Sequence, residues 1–365
     1  MLYTLKKIDK LLLLCILTLG IISTLMMASI TGVEGARFSK TVITQMSAFG
    51  IGFVLMIIIL HIDYLAIEKL EKPIYILSFL FQCTVYLPKI GQDIGGNRAW
   101  IRLFGMTMQP SDLTKIALVL CLSCFLKRNM KQMVSLVGLF KAFIYAAPLI
   151  GIVMKEDFGA GIVMSFMFVG MIFTAGIKGG LFLRLAALFA VCVPIIYRFL
   201  QPHQKERFDA FLHPENLSID ATYQVWQSKV AIGSGGLFGR GLFHGKIKES
   251  NFLPVQESDF VFSIICEEFG VIGGISVIVI YAVMLTRMWL VVARAKDYYG
   301  AFIGVGFLCL IGFQIFENVG MVMGLMPVTG ITLPFLSAGG TSIIANMITM
   351  SIVLNIGIRN RGLND

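Results

Sequence analysis

Apolar runs long enough to cross a bilayer recur through this chain, and that repetition limits its possible folds more than any other feature. A bilayer core takes about 17–25 consecutive apolar residues in helical form. About ten runs approach that length, near 11–30, 42–62, 73–88, 112–127, 141–155, 158–176, 180–200, 260–286, 301–323 and 339–358. In hydrocarbon each backbone N–H and C=O must find its partner within the segment, so these runs are expected to be helices. The expected fold is all-α: a polytopic integral membrane protein, one transmembrane domain over 1–365 with a large outer loop at 201–258.

Charge supports the same reading. Only 14% of residues are charged, against about 25% in ordinary globular chains. The net charge of +9 raises the question of nucleic acid, but the basic residues sit in short clusters between apolar runs. There they set orientation and meet anionic headgroups, so the expected partner is the membrane and not nucleic acid. Connections that would face the cytoplasm hold Lys6, Lys7, Lys10, Lys69, Lys72, Lys127, Arg128, Lys131, Lys141, Lys178, Arg184, Arg287, Arg294, Lys296, Arg359 and Arg361. The short outer connections hold only Arg37, Lys40, Lys89, Arg98, Arg102 and Lys155, so both termini are expected in the cytoplasm. The first run follows a basic start without a small-residue cleavage pattern and reads as a retained span. The cysteines fall in or beside apolar runs, so no disulfide framework is expected, and Cys121 and Cys124 read as packing.

Several polar constellations interrupt this apolar background. Leu253 to Gly270 carries a polar loop into an apolar helix and places Asp259 at the boundary. Asp259 could act as a general base, could bind a divalent cation beside a phosphate or, with Ser258, could cap the helix. Glu267 and Glu268 follow; on a helix Glu267 falls roughly 80° round and about 12 Å along from Asp259, which makes both acids internal polar contacts. Asp112 and Lys115 lie on neighbouring positions of one helical face, either as a structural ion pair or with the lysine ready for an anionic headgroup. Lys155, Glu156 and Asp157 form a charged turn between two spans. Arg98, Trp100 and Arg102 in the connection 94–105 suit a segment lying in the membrane interface, where the arginines could hold phosphate. The Pro- and Gly-rich stretch from Met326 to Ser342 should break a helix and line a cavity, with Glu317 and Asn318 facing the same interior. The glycine-rich turn from Gly233 to Gly241 lacks the Lys-Ser/Thr of a phosphate-binding loop, and the four histidines lack metal-ligand spacing.

Together, RAWIRLFGMTMQPSDLTK, KEDFGAG, AIGSGGLFGRG, LPVQESDFVFSIICEEFGVIG and MPVTGITLPFLSAGGTS resemble the SEDS family of bacterial shape, elongation, division and sporulation proteins, most like its RodA branch. The resemblance implies a peptidoglycan glycosyltransferase that polymerises lipid II at the outer face of the cytoplasmic membrane, for wall elongation and rod shape. It implies lipid II and the growing glycan strand as substrates and a class B penicillin-binding protein as partner. Asp259 matches the family's catalytic aspartate, Asp112 and Lys115 its acid and lysine, and Asp157 the acid between the fifth and sixth spans. The sequence departs from the family pattern at Asp112 (Glu in the pattern), at Glu257-Ser258 (His-Thr) and at Ala338 (Tyr).

The expected chemistry is inverting transfer, with Asp259 deprotonating the acceptor 4-hydroxyl. Lys115, Arg98, Arg102 and Arg240 are the expected pyrophosphate ligands, with Mg2+ or Mn2+ as the expected auxiliary ion on ligands left unassigned; no organic cofactor is expected. A lipid II flippase, or a scaffold that activates a penicillin-binding protein, stands as the alternative.

Overall fold

The computed structural model describes residues 7–31, 39–88, 90–94, 97–103, 106–181, 183–184, 187, 197–198, 201–245 and 256–360. Most of the expected span at 180–200, and Leu253 to Val255 ahead of Asp259, lie outside the described residues, as do Lys6, Arg37, Lys89, Cys192 and Arg361. The helices in order are α1 (Lys10–Thr31), α2 (Lys40–His61), α3 (Tyr64–Glu68), α4 (Glu71–Cys83), α5 (Pro110–Asn129), α6 (Leu136–Glu156), α7 (Phe158–Thr174), α8 (Pro202–Leu212), α9 (Asp220–Ser234), α10 (Val261–Ala293), α11 (Tyr298–Val322) and α12 (Gly340–Asn360). Strands β1 (Gly91–Ile94), β2 (Asn97–Leu103) and β3 (Met106–Met108) separate α4 from α5.

Among the described residues, six helices (α1, α2, α6, α10, α11 and α12) are long and apolar enough to cross a membrane, and α7 is a shorter apolar helix. The chain is a membrane protein. The run expected to span at 73–88 forms only the 13-residue α4, followed by a 3-10 turn at Thr84–Tyr86. At about 1.5 Å per residue such a helix falls well short of a bilayer core. The residues pack into two compact units interleaved in sequence: Met1–His61, Glu206–Leu290 and Ile311–Leu354 form the first, and Ile62–Lys205, Val291–Leu310 and Asn355–Asp365 the second.

In the second unit, α4 to α7 form a bundle beside a three-stranded antiparallel sheet in the order β1-β2-β3. This sheet gives the segment expected in the membrane interface the form of a paired strand. Successive side chains of a strand point to opposite faces, and β2 follows that rule: Ala99 and Ile101 are 3% and 0% exposed, whereas Arg98, Trp100 and Arg102 alternate with them on the other face. Gly91 lets β1 lie against the preceding turn, since a Cβ there would stand 1.9 Å from the Val85 carbonyl. Buried Glu71 accepts from Tyr145 Oη at 2.7 Å and pairs with Arg128. Lys127 pairs with Glu68 at 2.8 Å, and Tyr64 donates to Asp297. These contacts join α3, α4, α5, α6 and the start of α11.

In the first unit, two departures from helix carry the architecture. The irregular stretch between α11 and α12 would be costly in an apolar interior unless its carbonyls found donors. They do: Arg207 Nη1 donates to the Thr329 carbonyl (2.8 Å), Asn318 Nδ2 to Ile331 (2.8 Å), Tyr281 Oη to Pro334 (2.5 Å), Ser23 Oγ to Leu336 (3.0 Å) and Gln45 Nε2 to Ser337 (3.1 Å). Its first residues, Met326 to Val328, border a pocket against α8 and α9.

The second departure is a break inside α10 at Gly270, where φ is +70° and ψ −168°. The break frees carbonyls on one side and amides on the other, and the glycine-rich turn after α9 meets both. Arg240 N donates to Glu267 O (3.0 Å) and Gly241 N to Glu268 O (2.9 Å), while Val271 N donates to Gly236 O (2.9 Å) and Ile272 N to Leu237 O (3.3 Å). A Cβ on Gly239 would stand 2.1 Å from the Glu268 carbonyl, and one on Gly270 2.4 Å from Gly239 N, so backbone touches backbone on both sides. The turn expected to be part of an outer loop is thus built into the middle of a helix. Glu268 accepts from Ser29 Oγ at 2.5 Å, an internal polar contact of the kind expected for it.

Candidate active site

Asp259 lies two residues ahead of α10, half-buried, where three segments of the first unit converge. Its own backbone is fixed first. Asn318 on α11 donates from one amide nitrogen to the Asp259 carbonyl (2.9 Å) and to the Ile331 carbonyl (2.8 Å), tying Asp259 to the irregular stretch. The preceding residues are fastened to the same stretch: Ser337 Oγ donates to the Ser258 carbonyl and Ala338 N to the Glu257 carbonyl at 2.8 Å. Ala338 meets Glu257 through its backbone amide, so the departure from the family's tyrosine leaves this tie intact. The Ser258 hydroxyl turns onto Asp259 Oδ1 at 2.8 Å.

The carboxylate has a cationic neighbour. A Cβ on Gly330 would stand 3.5 Å from Asp259 Oδ2 and 3.5 Å from Arg207 Nη1, so carboxylate and guanidinium border one small opening over a glycine held at φ +75°. Arg207 comes from α8, in the long connection, and is held by its bond to the Thr329 carbonyl. Sequence reasoning passed over Arg207, because nothing local distinguishes it from the other charges at the start of that loop. Glu317, 1% exposed on α11, accepts from Thr329 Oγ1 and lies within electrostatic reach of both Asp259 and Arg207.

Arg240 does not join this opening. Its side chain donates to the Ser234 carbonyl (3.2 Å) and its backbone to Glu267, eight residues beyond Asp259 and about 12 Å along the helix.

The remaining expected residues belong to the second unit. Lys115 Nζ meets Asp112 Oδ1 at 2.9 Å, with both side chains 8% exposed. Pro110 opens α5 and puts Asp112 in its first turn, where an anion suits the helix N-terminus. Asp157 caps α7 by accepting from Ala160 N at 2.9 Å, and its other oxygen accepts from Gln109 Nε2 at 2.5 Å. The motifs around residues 109–115 and 155–161 are therefore joined by a hydrogen bond. Arg98 and Arg102 lie on the sheet face described above.

Among the described residues, no group of three or more His, Cys, Asp or Glu could hold a metal ion.

A model of the FtsW/RodA/SpoVE cell cycle proteins matches residues 9–362. The chain belongs to this SEDS family. It is 35% identical over 318 residues to a protein of Geobacter sp. (strain M18) named "Probable peptidoglycan glycosyltransferase FtsW", covering 86% of this chain and 85% of that one. It is 34% identical to stage V sporulation protein E of Bacillus subtilis, covering 87% of each. Against peptidoglycan glycosyltransferase MrdB of Escherichia coli it is 29% identical, over 98% of this chain and 95% of the other. These comparisons assign the SEDS family and no single branch of it. Among solved structures, a chain from a study of polymerisation and crosslinking by a peptidoglycan synthase complex superposes with a TM-score of 0.78 at 24% identity, covering 98% and 99%. The rod shape determining protein RodA of Thermus thermophilus superposes at 0.71, also at 24%, covering 97% and 98%. Both share the SEDS fold.

Proposed function

We propose that this SEDS protein is a peptidoglycan glycosyltransferase that joins lipid II units into glycan strands, with Asp259 as general base. The observation that carries the assignment of roles is the shared opening over Gly330, where a carboxylate and a guanidinium both face the space a side chain would fill. Asp259 takes the proton of the acceptor 4-hydroxyl, and the freed oxygen attacks the donor's anomeric carbon from the face opposite the leaving group. The bond from that carbon to the undecaprenyl pyrophosphate breaks, configuration inverts, and the pyrophosphate departs with the bonding pair. Arg207 receives the charge that develops there, since a planar guanidinium matches phosphate oxygens bidentately. General-base assistance of this kind contributes about 10²–10⁴-fold. No step uses a divalent cation; any Mg2+ or Mn2+ requirement would enter with the pyrophosphate.

Asp112, Lys115 and Asp157, with Arg98, Arg102 and Arg240, are assigned to substrate contacts. The reading includes the cytoplasmic membrane as location, the outer face for the reaction, cytoplasmic termini and a class B penicillin-binding protein as partner. Wall elongation is the role carried over from the resemblance to RodA.

The test supplies the purified protein and its partner with labelled lipid II and follows glycan chains. Polymerisation should vanish in Asp259→Ala at unchanged protein level. Chains made equally well by that variant would overturn the general-base assignment. Lipid II crossing liposome membranes without polymerisation by the wild type would establish the flippase instead.

A further inference from the structure

Glu317 is a buried acid that the proposed reaction does not use. It sits on α11, 1% exposed, next to Asn318, whose amide fixes the Asp259 backbone. Its Oε1 accepts from the Thr329 hydroxyl, and its Oε2 is buried with no hydrogen-bond partner among the described residues. An ionisable group kept in an apolar interior with half its acceptors unused is expensive, and such residues are functional candidates. Packing alone gives no reason for it, since an aliphatic side chain of similar size would fill the same volume without the desolvation cost.

What Glu317 holds supplies a reason. Thr329 has two roles at once: its hydroxyl donates to Glu317, and its carbonyl accepts from Arg207 Nη1 at 2.8 Å. The next residue, Gly330, is the one over which Arg207 and Asp259 face each other. An unbroken chain of contacts therefore runs from the α11 carboxylate, through one threonine, to the guanidinium beside the general base. We infer that Glu317 is a positioning residue for the transfer reaction, which fixes Arg207 against the leaving pyrophosphate by anchoring Thr329. Glu317 and Asn318, adjacent on one helix, then divide the work: Asn318 sets where the base stands and Glu317 sets where the cation stands.

This inference rests on the glycosyltransferase reading, and its test is arranged so that the two can fail separately. Polymerisation of labelled lipid II by the purified full-length protein with its partner is measured alongside thermal stability for Glu317→Leu, Glu317→Gln, Thr329→Val and Arg207→Ala. A displaced catalytic group costs up to about a hundredfold in rate, so Glu317→Leu should lower kcat roughly ten- to a hundredfold with KM little changed. Its melting temperature should hold or rise, because removing a buried, half-partnered carboxylate relieves desolvation. Glu317→Gln, which keeps an oxygen for Thr329, should recover most of the rate. In the Arg207→Ala background Glu317→Leu should cause no further loss, since both act through one guanidinium. If Glu317→Leu does not accumulate, Thr329→Val in the two backgrounds decides by the same rule.

Wild-type kcat in Glu317→Leu, or losses that multiply with Arg207→Ala, would overturn the inference while leaving Asp259 untouched. A fall in rate that tracks a fall in melting temperature and is not recovered by Gln would make Glu317 merely structural. Polymerisation surviving in Asp259→Ala strikes the underlying reading instead.

Discussion

Asp112 meets a lysine on its own helix, one turn away, and the pair closes on itself at 2.9 Å with both side chains 8% exposed. Asp259 stands where α8, α11 and an irregular loop converge, and the neighbouring Arg207 also donates to a backbone carbonyl. The first arrangement is local and self-sufficient; the second needs several distant segments to be correct before it exists. A neutralised pair buried in an apolar bundle serves stability with little further help. The same residue types thus enter different surroundings in the two units, one closed within a single helix and the other assembled from distant segments.

The largest expected effect separates the two carboxylates directly. Asp259→Asn should lower polymerisation by about 10²–10⁴-fold with the melting temperature nearly unchanged, measured on purified protein with lipid II. The second effect is the reverse in kind. Lys115→Met leaves Asp112 buried without its partner, and breaking such a pair typically costs about 3–5 kcal/mol, so the variant should melt earlier or fail to accumulate. Adding Asp112→Leu should restore melting; activity still absent in that stable double variant would show that the pair also binds substrate.

A smaller effect is expected at Gly330. An alanine there finds ordinary contact distances to Asp259 and Arg207 but must hold φ at +75°, a strain of about 1–2 kcal/mol. Its methyl group also fills the opening, so Gly330→Ala should depress kcat/KM more than its modest loss of stability explains. The smallest effect concerns Tyr64, in the short connection after α2. Burial first, and then its hydrogen bond to Asp297, push the Tyr64 phenol well above the ordinary tyrosine range. The fold favours the neutral phenol, so its contribution to stability is whole below about pH 10 and is lost as pH rises above that. The difference in melting temperature between wild type and Tyr64→Phe should accordingly shrink above pH 10.

Much of this organisation was legible in the sequence, for reasons that differ by element. The runs at 11–30, 42–62 and 301–323 announce α1, α2 and α11 because length and apolar content alone decide a span. Asp259 stood out because a carboxylate at the mouth of an apolar helix is costly. The strand β2 was written plainly as alternation from Arg98 to Arg102, yet that period also suits an interfacial segment, and only pairing with β1 and β3 distinguishes them. Arg207 was invisible because its meaning comes from Thr329 and Asp259, both far along the chain. The break at Gly270 was hidden for a similar reason: a lone glycine in an apolar run is tolerated by a straight helix, and what bends it here is the turn from Gly235 to Gly241 packed against it.

That packing has a consequence for how the protein breathes. The amides of Arg240, Gly241, Val271 and Ile272 are all held by the one junction between the turn and α10. They should exchange their hydrogens with solvent at a common slow rate, as one cooperative unit, although two of them belong to a stretch that looks by composition like an exposed loop. Opening that unit would release both sides of the break at Gly270 at once. Local unfolding at the turn and bending of the helix that begins beside Asp259 are therefore a single event in this molecule.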